Sequence, residues 1–359
     1  MGSLANRKDN VLFLSFVGPN YSRSSTILNA KSEKFQKQFQ KVPTGILRAF
    51  LDIYNQRKAM RLASCIVIMS PCHILTPAVK ILVRRPVILD SGWALTDGQL
   101  SRGFSSASLL RVPTIYLVDF LAFHFANLIL MESKAQIKRS SRKFMIKQSK
   151  MKVSFTGLNE TTFKNENNNS ELIKKVNNKL SKLGNGLTVL FRGKVNNESG
   201  FEYICEAARR LENKVSFIFL IGQNDVQREF PANVISISGI SDSEMCQIYN
   251  MSDIALGQIS SHPRLRYTIP HKAFEAGFFA TPYISADNAG IREFLDSGDA
   301  IFISEPFTEG LVDAILSLSE PTVREEIAGR ISEKYKKSAA QSIVNEKFEN
   351  LLFSLVSTN

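Results

Sequence analysis

Lys272 and Glu275 lie three residues apart in the second half of the chain, directly after Pro270. Proline suits the first turn of a helix, and residues three apart share one helical face, so a short helix ending near Gly277 would place this cation beside this carboxylate. Helix N-termini attract anions. Such a helix could bind a nucleoside diphosphate, with Lys272 at the phosphates and Glu275 accepting hydrogen bonds from ribose. A surface helix with an ion pair fits the spacing equally well.

Strands alternating with helices surround this stretch. Continuous apolar runs predict buried parallel strands, and the segments between these runs predict helices, so each half of the chain is expected to form a doubly wound α/β sheet. Residues 31–61, rich in Lys and Gln, have apolar residues at roughly helical spacing. The predicted strands are residues 11–17, 64–69, 86–90, 127–131 and 152–155 in the first half, and 187–191, 216–221, 234–237, 254–256, 283–285 and 301–303 in the second.

The segment between the two halves, residues 164–186, is rich in Asn and Lys and poor in apolar residues. This composition predicts an interdomain linker that includes one exposed helix. The sequence thus divides into an N-terminal Rossmann-like domain (1–164), a linker (165–186), a C-terminal Rossmann-like domain (187–340) and a final helix (341–359). Apolar residues along the final helix must be buried, and we expect it to pack back on the N-terminal domain.

Charge is divided unevenly along the chain. Residues 1–160 hold 24 Lys and Arg against 8 Asp and Glu, a net charge of +16, whereas the remainder carries −4. A basic half suits an anionic partner, although a solvated basic face without a partner is the alternative. Nucleic acid is disfavoured, because no recognition motif is present. The four cysteines have no metal-ligand spacing and predict reduced thiols in a cytoplasmic protein.

The second half resembles the C-terminal domain of retaining GT-B glycosyltransferases of family four (glycosyl transferases group 1). Residues 110–163 are similar to the helix, strand and hinge that precede this domain in the family, so the resemblance spans residues 110–305. It implies an α/β fold of the GT-B type, with two Rossmann-like domains facing across a cleft. The matching segments are Phe191-Arg192-Gly193-Lys194, Leu220-Ile221-Gly222, Ile237-Ser238-Gly239, Tyr249–Asp253, Phe274–Gly277, Thr281-Pro282 and Gly290–Glu293.

The resemblance implies transfer of a sugar from a nucleotide-diphosphate sugar, with retention, and with the donor in the C-terminal domain. Glu275 matches the family's ribose-binding Glu, and Lys194 stands where the family usually has an Arg on the diphosphate. Tyr267 replaces a Glu that faces the donor sugar, and Ser199 replaces a second cation, so sugar recognition should differ. Residues expected on the donor side are Gly193, Lys194, Ile240, Arg264, Arg266, Tyr267, Lys272 and Glu275.

Candidates for catalysis are Asp90 and Lys194. Asp90 follows a predicted strand, where open sheets bind ligands, but it could equally cap the following turn. On the same acceptor side, His73 is a weaker candidate and Gly18 ends the first strand, while His271 lies near the donor loop. No metal-ligand cluster and no Asp-x-Asp pair occurs. We therefore expect a metal-independent enzyme with the nucleotide-sugar as co-substrate and no further cofactor.

The expected acceptor is lipid-linked or a polysaccharide. Lys34, Lys37, Lys41 and Arg48, with neighbouring apolar residues, predict a basic amphipathic surface that docks on an anionic membrane surface, which would place the enzyme peripherally on the inner face. The same residues could instead pack as an ordinary helix. Two other functions stay open: a GT-B scaffold without activity that binds a partner, favoured by Tyr267 and Ser199, and a sugar-nucleotide epimerase, which needs more carboxylates.

Overall fold

The computed structural model describes residues 9–19, 25–101, 106–163, 170–184 and 186–357, without the side chains of residues 106–109. The chain forms two compact units. The first unit comprises Met1–Asn159 together with Gln341–Asn359, and the second comprises Glu160–Ala340. Each unit is built around a six-stranded sheet in which all paired strands are parallel.

The first unit places helices on both faces of its sheet. Its strands are β1 (Asp9–Ser15), β2 (Phe35–Lys41), β3 (Cys65–Met69), β4 (Val87–Gly92), β5 (Leu128–Met131) and β6 (Met151–Val153). Its helices are α1 (Ser25–Asn29), α2 (Ile46–Met60), α3 (Leu75–Val83), α4 (Leu95–Leu100), α5 (Ser106–Phe125), α6 (Lys134–Phe144) and α13 (Gln341–Ser357). The strand order is β2-β1-β3-β4-β5-β6.

Both faces of this sheet are buried, which explains the continuous apolar runs of its strands. Leu12 and Leu14 of β1 pack in a core with α2, α3, α5 and α6, whereas Val11 and Phe13 face the opposite core. Phe348 of α13 contacts the Phe13 ring at a centroid distance of 6.1 Å. The last helix therefore completes the first unit, although the whole second unit precedes it in the chain.

The predicted long helix over residues 31–61 is wrong in its first part. Residues 35–41 form β2, which pairs in parallel with β1 at the edge of the sheet, and only residues 46–60 are helical. Phe35 and Phe39, four residues apart, fit a strand period as well as a helical one, and Phe35 is buried against the sheet core. The backbone pairing of residues 35–41 with β1 selects the strand over the helix.

The second unit has the same plan with a different strand order, β12-β11-β10-β7-β8-β9. Its strands are β7 (Leu187–Arg192), β8 (Val215–Leu220), β9 (Val234–Ile237), β10 (Ile254–Leu256), β11 (Tyr283–Ala286) and β12 (Ile301–Ile303). Its helices are α7 (Glu171–Leu183), α8 (Phe201–Arg210), α9 (Asp242–Asn250), α10 (His271–Phe278), α11 (Phe307–Ser317) and α12 (Pro321–Ser338). Helices α8 and α11 share one apolar core with the sheet.

Helix α7 occupies most of the segment that composition predicted as a linker. It buries Ile173 and Val176, and it contacts α9 and β9 of the second unit. The expected helix is therefore present and mostly exposed, and its two buried apolar side chains, one turn apart, dock it on the second unit. Residues 164–169 and 185 of the predicted linker lie outside the described part of the chain.

Helix α10 ends at Phe278, one residue after Gly277, close to the predicted end of the helix. A Cβ at Gly277 would lie 2.7 Å from the Cβ of Tyr335 on α12. The glycine therefore also permits close packing of α10 against α12.

In the part of the chain that the structure describes, no helix is both long enough and apolar enough to cross a membrane.

Candidate active site

The strand order of the second unit creates a crevice between β7 and β10. These strands are neighbours, but the helices that follow them pack with different partners. Helix α8, which follows β7, shares a core with α11, whereas α10, which follows β10, packs against α12. The connections after the two strands therefore diverge at the carboxyl end of the sheet. Open α/β sheets bind ligands at such a switch point.

A pocket of about 520 Å³ lies at this crevice. Its wall includes the loop after β7, with Asn196 and Asn197, the first turn of α8, and the loop after β10, with Ser260, Ser261 and His262. The volume is within the range of small-molecule sites. Backbone N–H groups at the start of α8 face this region, and helix N-termini bind anions. The pocket thus combines polar side chains with a helix end suited to phosphate.

Gly200 holds the two loops of the pocket together. Its φ of +68° lies in the left-handed region, and a Cβ there would come within 1.8 Å of the carbonyl oxygen of Ile259. The amide of Ile259 also donates to the carbonyl of Ser199, at 3.0 Å. No side chain fits between these backbones, so the sequence position that opens α8 must be glycine.

Glu275 lies beside this crevice at the centre of a polar network. Tyr249 donates its hydroxyl to Oε2 of Glu275 at 2.9 Å, and His271 donates from Nδ1 to Oε1 at 3.0 Å. The guanidinium of Arg192, at the end of β7, pairs with the same Oε1. Glu275 is almost completely buried, whereas the side chains of Arg192 and His271 are 36% and 47% exposed. Two partly exposed donors therefore cover a buried carboxylate.

These contacts keep Glu275 ionised. Burial alone would raise its pKa, but the hydrogen bond from His271, the charge of Arg192 and the hydroxyl of Tyr249 lower the pKa to about 2. The carboxylate is therefore an acceptor at every ordinary pH. Hydroxyl donors of a ligand could replace the half-exposed partners on Oε1, while Tyr249 stays behind the carboxylate.

Lys272 points inward instead of toward a ligand. Its ammonium donates to the carbonyl of Gly257 at 2.7 Å and to Oε1 of Gln258 at 3.3 Å, and it lies 4.6 Å from the ring centroid of Phe191. Burial lowers its pKa to about 7, although the charge of Glu275 opposes this shift. Lys272 thus fixes the loop after β10 from below, and the predicted phosphate contact would require it to leave these partners.

The other residues predicted on the donor side differ in their pairing and exposure. Arg264 forms an ion pair with Glu198, at 3.0 Å, and so does not offer a free charge. Lys194 and Arg266 are exposed, and Tyr267 is half-buried at the end of a short turn of helix. Buried Ser199 binds the carbonyl of Asn196 at 2.7 Å, which leaves a tight turn where a second cation was expected.

Gly193 and Ile240 are the remaining residues predicted on the donor side. Gly193 follows β7, and a Cβ there would lie 3.5 Å from Nζ of Lys272. Ile240 follows Gly239 in the connection between β9 and α9. Neither residue carries a polar side chain, so each can serve a ligand only through its backbone or by apolar contact.

In the first unit, the polar residues at the carboxyl end of the sheet bind one another. Nε2 of His73 lies 2.8 Å from the hydroxyl of Ser91 and 4.0 Å from Oδ1 of Asp119. Asp119 accepts from the amides of Leu95 and Thr96 at the start of α4, at 3.2 and 2.8 Å, and from the Thr96 hydroxyl at 2.6 Å. Asp119 therefore anchors α4 and is committed to structure.

The hydrogen bonds of Ser91 define the state of His73. The Ser91 hydroxyl donates its proton to the carbonyl of Trp93, at 2.9 Å, so its oxygen must accept from Nε2–H of His73. Burial lowers the pKa of His73, although nearby Asp119 and Asp90 oppose this shift. The imidazole is consequently neutral, with its proton on Nε2.

Asp90 is 1% exposed within β4, and His73 is fully buried. A direct catalytic contact by either side chain would require them to become accessible, so their expected contact with substrate does not follow from this geometry. Gly18 lies in the loop after β1, and β1 neighbours β3, which His73 follows. The order β2-β1-β3 makes this another switch point, which agrees with a ligand-binding role for these loops.

Comparison with known proteins adds to this geometry. Residues 200–342 match the model of a family described as glycosyl transferase-like. Over 96% of this chain and 99% of the other, the structure is similar to Anabaena HepE in complex with UDP-glucose, with a TM-score of 0.72 and 15% identity. The chain has the GT-B fold. The predicted fold class and the resemblance to GT-B glycosyltransferases are confirmed.

Two further GT-B structures are similar over nearly the whole chain. A glycosyltransferase from Rickettsia africae has a TM-score of 0.67 at 12% identity, over 98% of this chain and 100% of that one. Sucrose-phosphate synthase from Thermosynechococcus elongatus has a TM-score of 0.67 at 13% identity, over the same shares. At these identities the likeness establishes the fold alone. Comparison with curated protein sequences gives no significant match.

Sequence reasoning gave no role to Arg192 or Tyr249, which hold Glu275. The i,i+4 spacing of His271 and Glu275 was a readable signal for a helical pair. Arg192 stood next to Gly193-Lys194 in a matching segment, but its pairing with Glu275 joins residues 83 positions apart. Tyr249 likewise opened a matching segment, but its hydrogen bond with Glu275 joins residues 26 positions apart and depends on the tertiary fold.

Proposed function

We propose that this GT-B protein is a retaining glycosyltransferase that moves a sugar from a nucleotide-diphosphate sugar to a lipid-linked or polysaccharide acceptor. The observation that carries the proposal is the ionised, buried carboxylate of Glu275, which pairs with Arg192 at the carboxyl end of β7, one of the two strands that border the switch point. Glu275 lies within residues 200–342, which match the glycosyl transferase-like family. The complexes of HepE with UDP-glucose and with UDP support a nucleotide-sugar as the donor class.

In this proposal Glu275 accepts hydrogen bonds from the ribose hydroxyls. Arg192 and His271 occupy Oε1 in the structure, so ribose would displace one of them. Arg192 is the better candidate to turn outward, because its long side chain is partly exposed and an anionic diphosphate offers it a new partner. The released guanidinium would join Lys194 at the diphosphate. This exchange would supply a second cation where Ser199 cannot.

The diphosphate would lie at the start of α8, in the pocket lined by the two switch-point loops. Retaining transfer requires stabilisation of the leaving diphosphate and of a developing oxocarbenium ion. The amides of α8, Lys194 and Arg192 would provide the first of these. We propose metal-independent transfer, because cationic side chains and a helix N-terminus can neutralise the leaving group.

On the acceptor side, we propose that Asp90 and His73 position the loops after β1, β3 and β4 without touching the acceptor, because both side chains are buried. Gly18 and its neighbours would then contribute backbone contacts. A lipid-linked acceptor would require the first unit to meet a membrane surface, which places the enzyme at the inner face of the cytoplasmic membrane.

A second candidate function has specific support. Tyr267 and Ser199 stand where GT-B relatives of family four carry a Glu and a Lys, and Glu275 already has three protein partners. A protein with these features could keep the fold as a binding scaffold without transferring sugar. Such a scaffold would bind its partner without consuming a nucleotide-sugar.

One experiment separates these two functions. Purified protein is incubated with nucleoside diphosphate sugars, and released nucleoside diphosphate is measured alongside binding by calorimetry. A transferase should bind the nucleoside diphosphate and should release it from one of the nucleotide-sugars. The release should be faster when an acceptor is present. The NMR signal of the product's anomeric proton should show that the sugar keeps its configuration. Binding without release would favour the scaffold, and neither binding nor release would contradict the proposed donor site.

A further inference from the structure

Helix α2 of the first unit exposes an apolar stripe to solvent. Leu47, Leu51 and Tyr54 are 74%, 54% and 49% exposed, and their spacing of four and three residues puts them on one helical face. Ile46, at the start of the helix, is also exposed. The residues that attach α2 to the core, Ala49 and Ile53, occupy a different face. We define Leu47, Leu51 and Tyr54 as the α2 stripe.

This arrangement departs from an ordinary surface helix. Solvent-facing positions of a docked helix are usually polar, and single exposed apolar residues need no explanation. Here three large side chains form one continuous row. A row of this kind is typical of a surface that contacts another apolar phase.

Cations flank the α2 stripe. Lys58 continues the same face, four residues after Tyr54, and the Arg57 guanidinium lies 3.8 Å from the ring centroid of Tyr54. Arg48 is exposed beside Leu47. Against these three cations, α2 has one carboxylate, Asp52. The face therefore combines a narrow apolar row with a positive border, in the half of the chain that carries the net charge of +16.

We propose that the α2 stripe is a docking surface for an anionic lipid membrane. The apolar row would insert at the level of the lipid headgroups, with Tyr54 at the boundary and Arg48, Arg57 and Lys58 near the phosphates. Lysine and arginine can keep their charges at the headgroups while their methylene chains follow the apolar side chains inward. The docking does not depend on the proposed glycosyl transfer.

Charge and size favour a membrane over a second copy of this chain. A two-fold pair formed through this face would bring the cations of one helix close to those of the other, and like charges oppose such a contact. The row also has far fewer residues than the roughly 20 to 30 a side of a stable protein interface. An anionic bilayer satisfies the charge and requires no shape match.

The surface differs from the one that the sequence indicated. Lys37 is not available, because its ammonium donates to the carbonyls of Ile27 and Ala30, at 2.8 and 3.0 Å, and to Asn345 of α13. Burial lowers its pKa to about 8, although nearby Glu349 opposes this shift. Phe35 is likewise buried. The docking residues are therefore those of α2, and the strand before it is a structural edge.

Vesicle co-sedimentation of the full chain tests the proposal. Wild-type protein should bind vesicles of mixed phosphatidylcholine and phosphatidylglycerol, should bind phosphatidylcholine alone weakly, and should lose binding as salt rises. Leu47→Ser with Leu51→Ser should reduce partitioning about tenfold or more, since two exposed leucines no longer insert. Arg48→Gln with Lys58→Gln should weaken binding mainly at low salt.

A matched variant controls for general loss of apolar and basic surface. Leu316→Ser with Lys179→Gln changes an exposed leucine and an exposed lysine on the second unit and should leave vesicle binding unchanged. Both serine positions of the docking variant are exposed, so its circular dichroism and its nucleotide affinity should match the wild type. Retained nucleotide binding separates this outcome from a failure of the proposed donor site.

Three results would overturn the proposal. The first is equal binding of wild type to neutral and anionic vesicles, or to neither. The second is unchanged vesicle binding by the leucine variant. The third is a wild-type dimer in light scattering that the leucine variant converts to a monomer, without any effect of vesicles, which would assign the stripe to self-association.

Discussion

The two parallel sheets of this GT-B protein place polar residues at the same position, the carboxyl end at a switch point, but use them differently. In the first unit, His73, Ser91 and Asp119 are buried and bind one another or the start of α4. In the second unit, Glu275 is buried, but the side chains of its partners Arg192 and His271 are 36% and 47% exposed.

This difference shows that topology alone does not make a binding site. Both sheets direct loops to one edge, as parallel strands require. A ligand can compete only where the protein's own hydrogen bonds can be exchanged, and buried, fully committed partners cannot be exchanged without loss of stability. We therefore regard the first unit's network as structural and propose the second unit's network as the binding site. The following predictions test this division, from the largest effect to the smallest.

Asp119→Ala should destabilise the first unit by about 3 kcal/mol, because two amides and a hydroxyl at the start of α4 lose their acceptor. The chain has one tryptophan, Trp93, directly before α4. Urea unfolding followed by its fluorescence should report this loss. The exposed Asp313→Ala is the control and should change stability by less than about 0.5 kcal/mol. If Asp119→Ala leaves the free energy of unfolding unchanged, this network is not structural.

Glu275→Gln should weaken binding of a nucleoside diphosphate by about 1–3 kcal/mol, since ribose hydroxyls lose a charged acceptor. Gln preserves the shape of the side chain, and thermal unfolding should establish that the variant is folded. Calorimetry measures the affinity. Tyr249→Phe, which removes a donor behind the carboxylate, should have the smaller effect. If Glu275→Gln binds as tightly as wild type, ribose does not contact this residue.

Lys272 should give the second unit a stability that rises with pH. Its pKa is lowered to about 7 in the folded state, so between pH 7 and 10.5 the unfolded chain binds more protons than the folded chain. The free energy of unfolding should therefore increase with pH in this window, by about 1.4 kcal/mol per pH unit at most from this group. Urea unfolding at several pH values measures the slope.

Lys272→Met is the test variant for this slope, and the exposed Lys194→Met is its control. The first substitution should reduce the slope of the free energy of unfolding against pH by the contribution of about one titrating group. The second substitution should leave this slope unchanged. Lys37 in the first unit, whose pKa is lowered to about 8, contributes in the same direction in both variants. A slope as steep in Lys272→Met as in the wild type would show that this ammonium is not buried as described.

Lys194→Gln should have the smallest effect. Loss of its charge should weaken nucleoside diphosphate binding about fivefold, with little change for the free nucleoside, because only the phosphates meet the side chain. The effect should shrink at high salt, as expected for an exposed cation. Equal losses for nucleoside and nucleoside diphosphate would place Lys194 away from the phosphates.

Much of the architecture was determined by the sequence itself. Short apolar runs such as residues 64–69 and 254–256 favour strands buried on both faces, because helices cover both faces of a parallel sheet. Their alternation with helical segments requires parallel sheets, since each crossover needs room for a helix. The spacing of Lys272 and Glu275 fixed their place on one short helix. The uneven charge likewise followed from composition.

Only the tertiary structure decided how the polar residues are used. Lys272 and Glu275 share a helix, yet the fold turns Lys272 to the Gly257 carbonyl and Glu275 to Arg192 and Tyr249. Residues 31–61 became a strand and a helix, and Lys37 was buried beneath α13, which lies about 300 residues further along the chain. Such outcomes depend on contacts between distant segments, and the local periodicity of a segment does not specify which distant segment will pack against it.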